Sequence, residues 1–178
     1  SLERRLRLTG IPVIHLVSPT VWAWRSYRVA KIRRAVDRIL VLFPFEKDFY
    51  EERGVAATFV GHPAAQETAG ITKASARSQL GISSSTQVLS ILPGSRESEI
   101  RHLADTFVGC MRVLAQRRPD LRFLIPFASD RVRQQFLNLV SLEGFADRVT
   151  LHDGQARLCL GASNGALLAS GTAALEAA

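Results

Sequence analysis

Two stretches of the chain place glycine and hydroxyl residues where an apolar run gives way to a helical pattern. The first is Val88-Leu89-Ser90-Ile91-Leu92-Pro93-Gly94-Ser95-Arg96. Gly94 permits a tight or positive-φ turn and close approach of a ligand, and Ser95 is a natural N-cap. The first N–H groups of the following helix lack internal partners and carry the positive end of its dipole, so they suit a phosphate. Arg96 adds a fixed charge with bidentate geometry. A plain strand–turn–helix connection accounts for the same residues, with Glu97 and Glu99 complementing the helix dipole. Turned inward, those two acids oppose an anion. The loop is not a Walker A sequence, because no Lys follows the glycine at the required distance.

The second stretch is Ala166-Leu167-Leu168-Ala169-Ser170-Gly171-Thr172-Ala173-Ala174-Leu175-Glu176. Gly171, Ala173 and Ala174 leave room for a ligand to press on the backbone. Glu176 lies one helical turn beyond Thr172, on the same face, where a carboxylate can accept from two ribose hydroxyls. A Ser or Thr cap with small residues packed on a sheet is the alternative. If both stretches belong to one α/β unit, both lie at the carboxyl edge of its sheet, where ligands bind as strand order reverses. A third group, Ser18-Pro19-Thr20-Val21-Trp22-Ala23-Trp24-Arg25, also follows an apolar run. Two tryptophans beside an arginine can hold a sugar ring or an acyl chain and its phosphate; one buried Trp covered by the other is the plainer account of the same residues. His15 reads as a hydrogen-bonded core residue, and His62 as either positional or functional.

These groups need strands and helices to position them. Apolar, β-branched runs predict strands over Val13–Val17, Ile39–Leu42, Thr58–Val60, Val88–Leu92, Phe123–Pro126, Val149–Leu151 and Ala166–Ala169. Several are continuous, as in parallel strands covered on both faces. Helical patterns fall at Ser26–Val36, Glu46–Arg53, Lys73–Leu80, Glu97–Arg117, Arg131–Leu142 and Ala156–Leu160, with a last helix opening near Thr172. This alternation predicts a doubly wound α/β architecture. Residues 61–70 are small, polar and weakly periodic, and read as a linker between one unit at 1–60 and another at 71–178. The first has too few strands for an independent sheet, and the second stops inside a helix barely begun. Both features suggest a piece of a longer chain.

The bulk numbers agree with globular α/β structure: 178 residues, 47% hydrophobic and 22% charged. No apolar segment approaches the roughly 20 residues of a bilayer span. Cys110 and Cys159 lack metal-ligand spacing and read as small core residues in a reducing compartment. The net charge of +7 is uneven. Arg4, Arg5 and Arg7 open the chain, and Arg25, Arg28, Lys31, Arg33, Arg34 and Arg38 follow. Such a balance suits nucleic acid, an anionic membrane or a phosphorylated substrate, and also a solvated helix face. A nucleic-acid module needs aromatics interleaved with exposed cations, whereas most phenylalanines here fall in apolar runs. A dinucleotide-binding dehydrogenase lacks its Gly-x-Gly-x-x-Gly after a strand.

Taken together, the segments resemble lipid-A-disaccharide synthases along essentially the whole chain. The resemblance is carried by Val17 to Arg25, Pro44-Phe45-Glu46-Lys47, Phe59-Val60-Gly61-His62-Pro63, Leu92 to Arg96 with Glu99, and Ala169 to Glu176. It implies a GT-B fold of two Rossmann-like domains facing across a cleft, and an inverting transfer with no metal or other cofactor. The implied donor is UDP-2,3-diacylglucosamine and the acceptor 2,3-diacylglucosamine 1-phosphate, with no nucleic-acid partner. The implied location is cytoplasmic, on the inner face of the cytoplasmic membrane, where the basic first unit would meet anionic lipid. On this resemblance Gly94, Ser95, Arg96, Glu99, Ser170, Gly171, Thr172, Ala173 and Glu176 form the UDP side, and Ser18, Trp22, Trp24 and Arg25 the acceptor side. The catalytic base is expected upstream of Ser1, so no residue here is assigned that role. Other UDP-sugar enzymes of this fold, a UDP-N-acetylglucosamine epimerase or the muramyl-pathway transferase, lack the Trp-Ala-Trp-Arg block.

Overall fold

The computed structural model describes residues 1–178 except 69, 170, 172, 173 and 175–178, and only the backbone of residues 66 and 67. The chain divides into two compact units, Ser1–Gln66 and Glu67–Ala178.

The first unit runs α1 (Leu2–Leu8), β1 (Ile14–Leu16), α2 (Val21–Trp24), a 3₁₀ turn at Ser26–Arg28, α3 (Val29–Arg33), β2 (Arg38–Val41), α4 (Pro44–Glu51) and β3 (Ala57–Phe59). Its sheet is parallel, in the order β1-β2-β3. The helix expected over Ser26–Val36 is split into the 3₁₀ turn and α3. Ile39, Val41 and Ala57 pack with Val29 of α3 and Tyr50 of α4 into one core. The expectation of two covered faces fails in this unit: on β1, Ile14 is 63% exposed and Leu16 61%.

Residues 61–70, expected as a linker, carry helix α5 (Pro63–Thr68). Pro63 suits its first position, where a missing N–H costs nothing. The division between the units falls within this helix.

The second unit continues with α6 (Lys73–Gln79), β4 (Gln87–Leu92), α7 (Glu97–Arg117), β5 (Leu121–Phe127) and α8 (Asp130–Leu139). After a 3₁₀ turn at Ala146–Arg148 come β6 (Val149–Asp153), α9 (Ala156–Ala162) and β7 (Gly165–Leu168). The sheet is parallel in the order β6-β5-β4-β7. Period-2 alternation sends Phe123, Ile125 and Phe127 of β5 to one face, with Ile100, Phe107 and Met111 of α7 and Phe136 of α8. Leu124 faces the other way, with Val88, Ala76 of α6, and Cys159 and Ala162 of α9. Helices thus cover both faces, as doubly wound architecture requires.

Cys159 is buried as expected, and burial pushes its thiol up to about 12. Cys110 corrects the expectation, because it is exposed. The buried stripe of α7 runs through Phe107, Val108 and Met111, and 3.6-residue periodicity turns position 110 away from it. Among the described residues no helix is long and apolar enough to cross a membrane, and no group of His, Cys, Asp or Glu could hold a metal.

Candidate functional site

The order β6-β5-β4-β7 contains a reversal. From β4 the chain winds outward through β5 and β6, then returns to lay β7 on the other side of β4. The point between β4 and β7 is therefore the topological switch, the usual ligand crevice of an open α/β sheet. Both glycine loops leave from it. Leu92 and Leu168 are register partners, and the Ala169 N–H donates to the Leu92 carbonyl at 2.9 Å. Gly94 has φ +131° and Gly171 φ +136°, a region that side-chain-bearing residues rarely enter. The Ala174 N–H donates to the Gly171 carbonyl at 3.1 Å. Ser170, Thr172, Ala173 and Glu176 lie outside the described residues.

The α7 end of the site differs from the expected cap. The N-cap is Arg96 rather than Ser95, and its side chain makes no cap bond. Glu99 folds back instead. Its Oε2 accepts from the N–H groups of Ser95 (2.9 Å) and Arg96 (3.3 Å), and its Oε1 accepts from Arg96 Nη1 at 2.9 Å. The Ser95 bond foremost, with those from Arg96 and the positive guanidinium, holds the Glu99 carboxyl below its ordinary range against a smaller desolvation effect. Glu97 turns away and pairs with Arg131 of α8. Two of the amides expected to face a phosphate are thus occupied by Glu99. The Ser95 side chain is exposed, and the Arg96 side chain, although its Nη1 is engaged by Glu99, is 79% exposed.

In the first unit the loops after β1, β2 and β3 also leave a carboxyl edge. Val17 takes φ +73°, strained for a β-branched residue, directly before Ser18-Pro19. The Ser18 hydroxyl is buried, 2.9 Å from the Pro19 carbonyl and hydrogen-bonded with the Tyr50 hydroxyl at 2.9 Å. It is committed within the unit. Burial raises the Tyr50 phenol above its ordinary value, opposed by the Ser18 bond and assisted by Glu46. Trp22 and Trp24 are both exposed, so the pairing of a buried with a covering Trp does not occur. Arg25 lies over the Trp24 ring at 3.8 Å.

Two aromatics that sequence reasoning left unassigned join Trp22. Phe45 meets it edge-on at 5.0 Å, and Phe43 stacks on Phe45 at 5.8 Å. Their position directly after β2, in a block with Pro44, was the available signal. His62 lies 6.0 Å from Phe43. Its Nδ1 accepts from the Ala64 N–H at 3.1 Å, so His62 caps α5 and the neutral ring carries its proton on Nε2. His15 pairs with Glu3 at 2.5 Å and is partly exposed rather than in the core. Elsewhere in this unit, Arg4, Arg28, Lys31 and Arg34 line a hollow of about 520 Å³ together with the apolar Val21 and Ile32.

The family model for lipid-A-disaccharide synthetase matches residues 1–178. A lipid-A-disaccharide synthase of Chromohalobacter salexigens is 46% identical over 99% of this chain, and one of Verminephrobacter eiseniae is 44% identical over 99%. One from Burkholderia thailandensis is 45% identical over the same share. The chain spans 46% of the length of each of these relatives. With a match along its full length, the chain belongs to the lipid-A-disaccharide synthetase family.

Proposed function

We propose that this chain holds the UDP portion of a nucleotide-sugar donor, within a protein that joins two acylated glucosamines. The single observation that carries the reading is the switch point between β4 and β7, where Leu92 and Leu168 are register partners and the loops bearing Gly94 and Gly171 both leave its carboxyl edge. The donor is UDP-2,3-diacylglucosamine and the acceptor 2,3-diacylglucosamine 1-phosphate. The products are the β-1,6-linked disaccharide 1-phosphate and UDP, formed with inversion.

Arg96 meets the diphosphate and offsets the charge that develops on the leaving group. The Ser95 hydroxyl and the N–H groups of the first turn of α7 supply further contacts. Ser170, Thr172 and Ala173 contact the phosphates from the β7 side, and Glu176 takes the ribose. Trp22, with Phe43 and Phe45, forms an apolar wall for the acceptor, and Arg25 adds charge beside it. The basic surface around Arg4, Arg28, Lys31 and Arg34 faces anionic lipid.

Two measurements test the reading. Calorimetry with UDP should show binding by this chain that is lost when Gly94 and Gly171 are both replaced by Val. The whole protein, given both substrates in mixed micelles, should form disaccharide and release UDP in equal amounts. Absence of disaccharide under every micelle and vesicle condition would overturn the assigned reaction.

A further inference from the structure

The two acids that open α7 are placed differently. Glu97 is drawn to α8, where its carboxylate pairs with Arg131 and its carbonyl accepts from the Gln135 amide at 3.1 Å. Glu99 lies under the turn, holding the Ser95 and Arg96 N–H groups and the Arg96 guanidinium at once. The turn is built around it: a Cβ on Gly94 would come within 2.7 Å of both Cβ and Oε2 of Glu99.

The first unit contains a control for this arrangement. Glu46, at the third position of α4, accepts from the N–H groups of Leu42 (3.2 Å) and Phe43 (3.1 Å). That is ordinary reciprocal capping, in which a Glu one turn into the helix satisfies loop amides. Glu46 is buried and has no ion pair among the described residues. Glu99 does the same for its loop, but also fixes a cation whose side chain is 79% exposed. Backbone capping does not require that second bond.

We infer that Glu99 is a positioning residue for Arg96 in the donor-diphosphate grip. By engaging Nη1, it leaves the Nε–Nη2 edge of the guanidinium, a fork that matches two phosphate oxygens. Arg96 is thereby held in one orientation before the ligand arrives, so less side-chain entropy is lost on binding. The inference rests on the proposal that this site grips UDP. It also assigns Glu99 a sign: the carboxylate assists diphosphate binding, although it carries the same charge as the ligand.

The test compares UDP with uridine, both titrated by NMR into the whole protein and its R96A, E99Q, E99A and R96A/E99A variants. Uridine affinity should be unchanged throughout, which shows that nucleoside binding and the fold survive. The preference for UDP over uridine should fall roughly tenfold or more in R96A and in E99A, the scale of a lost hydrogen bond to a charged group. E99Q keeps an oxygen for the loop amides and loses only the ion pair, so it should fall between E99A and the parent. The double variant should be no worse than R96A, because Glu99 acts through Arg96. Tighter UDP binding by E99Q or E99A would make Glu99 a competing anion and overturn the inference. Equal losses for UDP and uridine would make its role structural only, and additive losses would make it independent of Arg96; either result also overturns it. If R96A itself leaves the preference unchanged, the donor-grip reading fails. If R96A lowers it and E99A does not, only the role of Glu99 fails.

Discussion

Arg96 and Glu99 lie three residues apart on one turn, and their effects differ in kind. Arg96→Ala should weaken UDP binding by about 1.5–3 kcal/mol, the range for a hydrogen bond to a charged group; calorimetry reads this directly. Glu99 also confers a pH dependence. Its carboxyl sits below the ordinary 4.5 in the folded chain. The cap is therefore at full strength above the unfolded carboxyl's titration and is lost as pH falls through the depressed folded value. The stability difference between the parent and Glu99→Ala, from urea unfolding, should be constant near neutrality and shrink below pH 4.5. The two cysteines make a separate pair. Cys110 is exposed and should react with a maleimide in the native state. Cys159, buried with its thiol pushed up to about 12, should react only on unfolding.

Elements were legible where they bury a stripe. The helical pattern over Glu97–Arg117 has the same bounds in the structure, because six of its residues recur at helical spacing against the sheet. Helix α1 has no buried residue and so shows no apolar stripe, and α2 buries only Val21; neither was foreseen. The packing of α6 on α9 was equally hidden. Arg77 on α6 is buried and donates to four carbonyls, those of Ala162, Ser83, Ser84 and Thr86, and to Asn164 Oδ1. An Arg within a polar helical stretch gives no sign that distant carbonyls will surround it. Arg77→Ala should cost about 3 kcal/mol or more in unfolding free energy, because it strands buried acceptors. Gly161→Ala should also lower the melting temperature: its Cβ would come within 2.6 Å of Cγ2 of Ile71, just ahead of α6.

Over the whole molecule, charge is the property that sequence exposes most directly. The net charge is +7, and Arg4, Arg5, Arg28, Lys31, Arg33 and Arg34 are all exposed in the first unit. Trp22, Trp24 and Tyr27 are exposed in the same unit, a combination that suits the headgroup region of a bilayer. Binding to anionic vesicles in a sedimentation assay should therefore weaken several-fold between about 0.05 and 0.3 M salt, as screening shortens the reach of these charges. Binding indifferent to salt would argue against attachment through this surface. In the second unit the same scale concerns strand order. The two glycine loops are more than 70 residues apart in sequence, and they become neighbours because β7 returns to the side of β4 opposite β5.

Sequence alone was enough for the parallel α/β class, the strands of both sheets and the two glycine turns. Each is written in local patterns: continuous apolar runs, helical spacing, and glycine where a chain must turn. Tertiary structure decided what those local signals leave open. It set Leu92 beside Leu168, so that two turns far apart in sequence leave the same edge of one sheet. It turned Glu97 toward α8 and Glu99 under the Gly94 turn, although both are acids in the same first turn of α7. It committed Ser18 to Tyr50 while leaving both tryptophans outside. The direction of a side chain depends on which neighbour can satisfy it, and that neighbour is chosen only when distant segments pack.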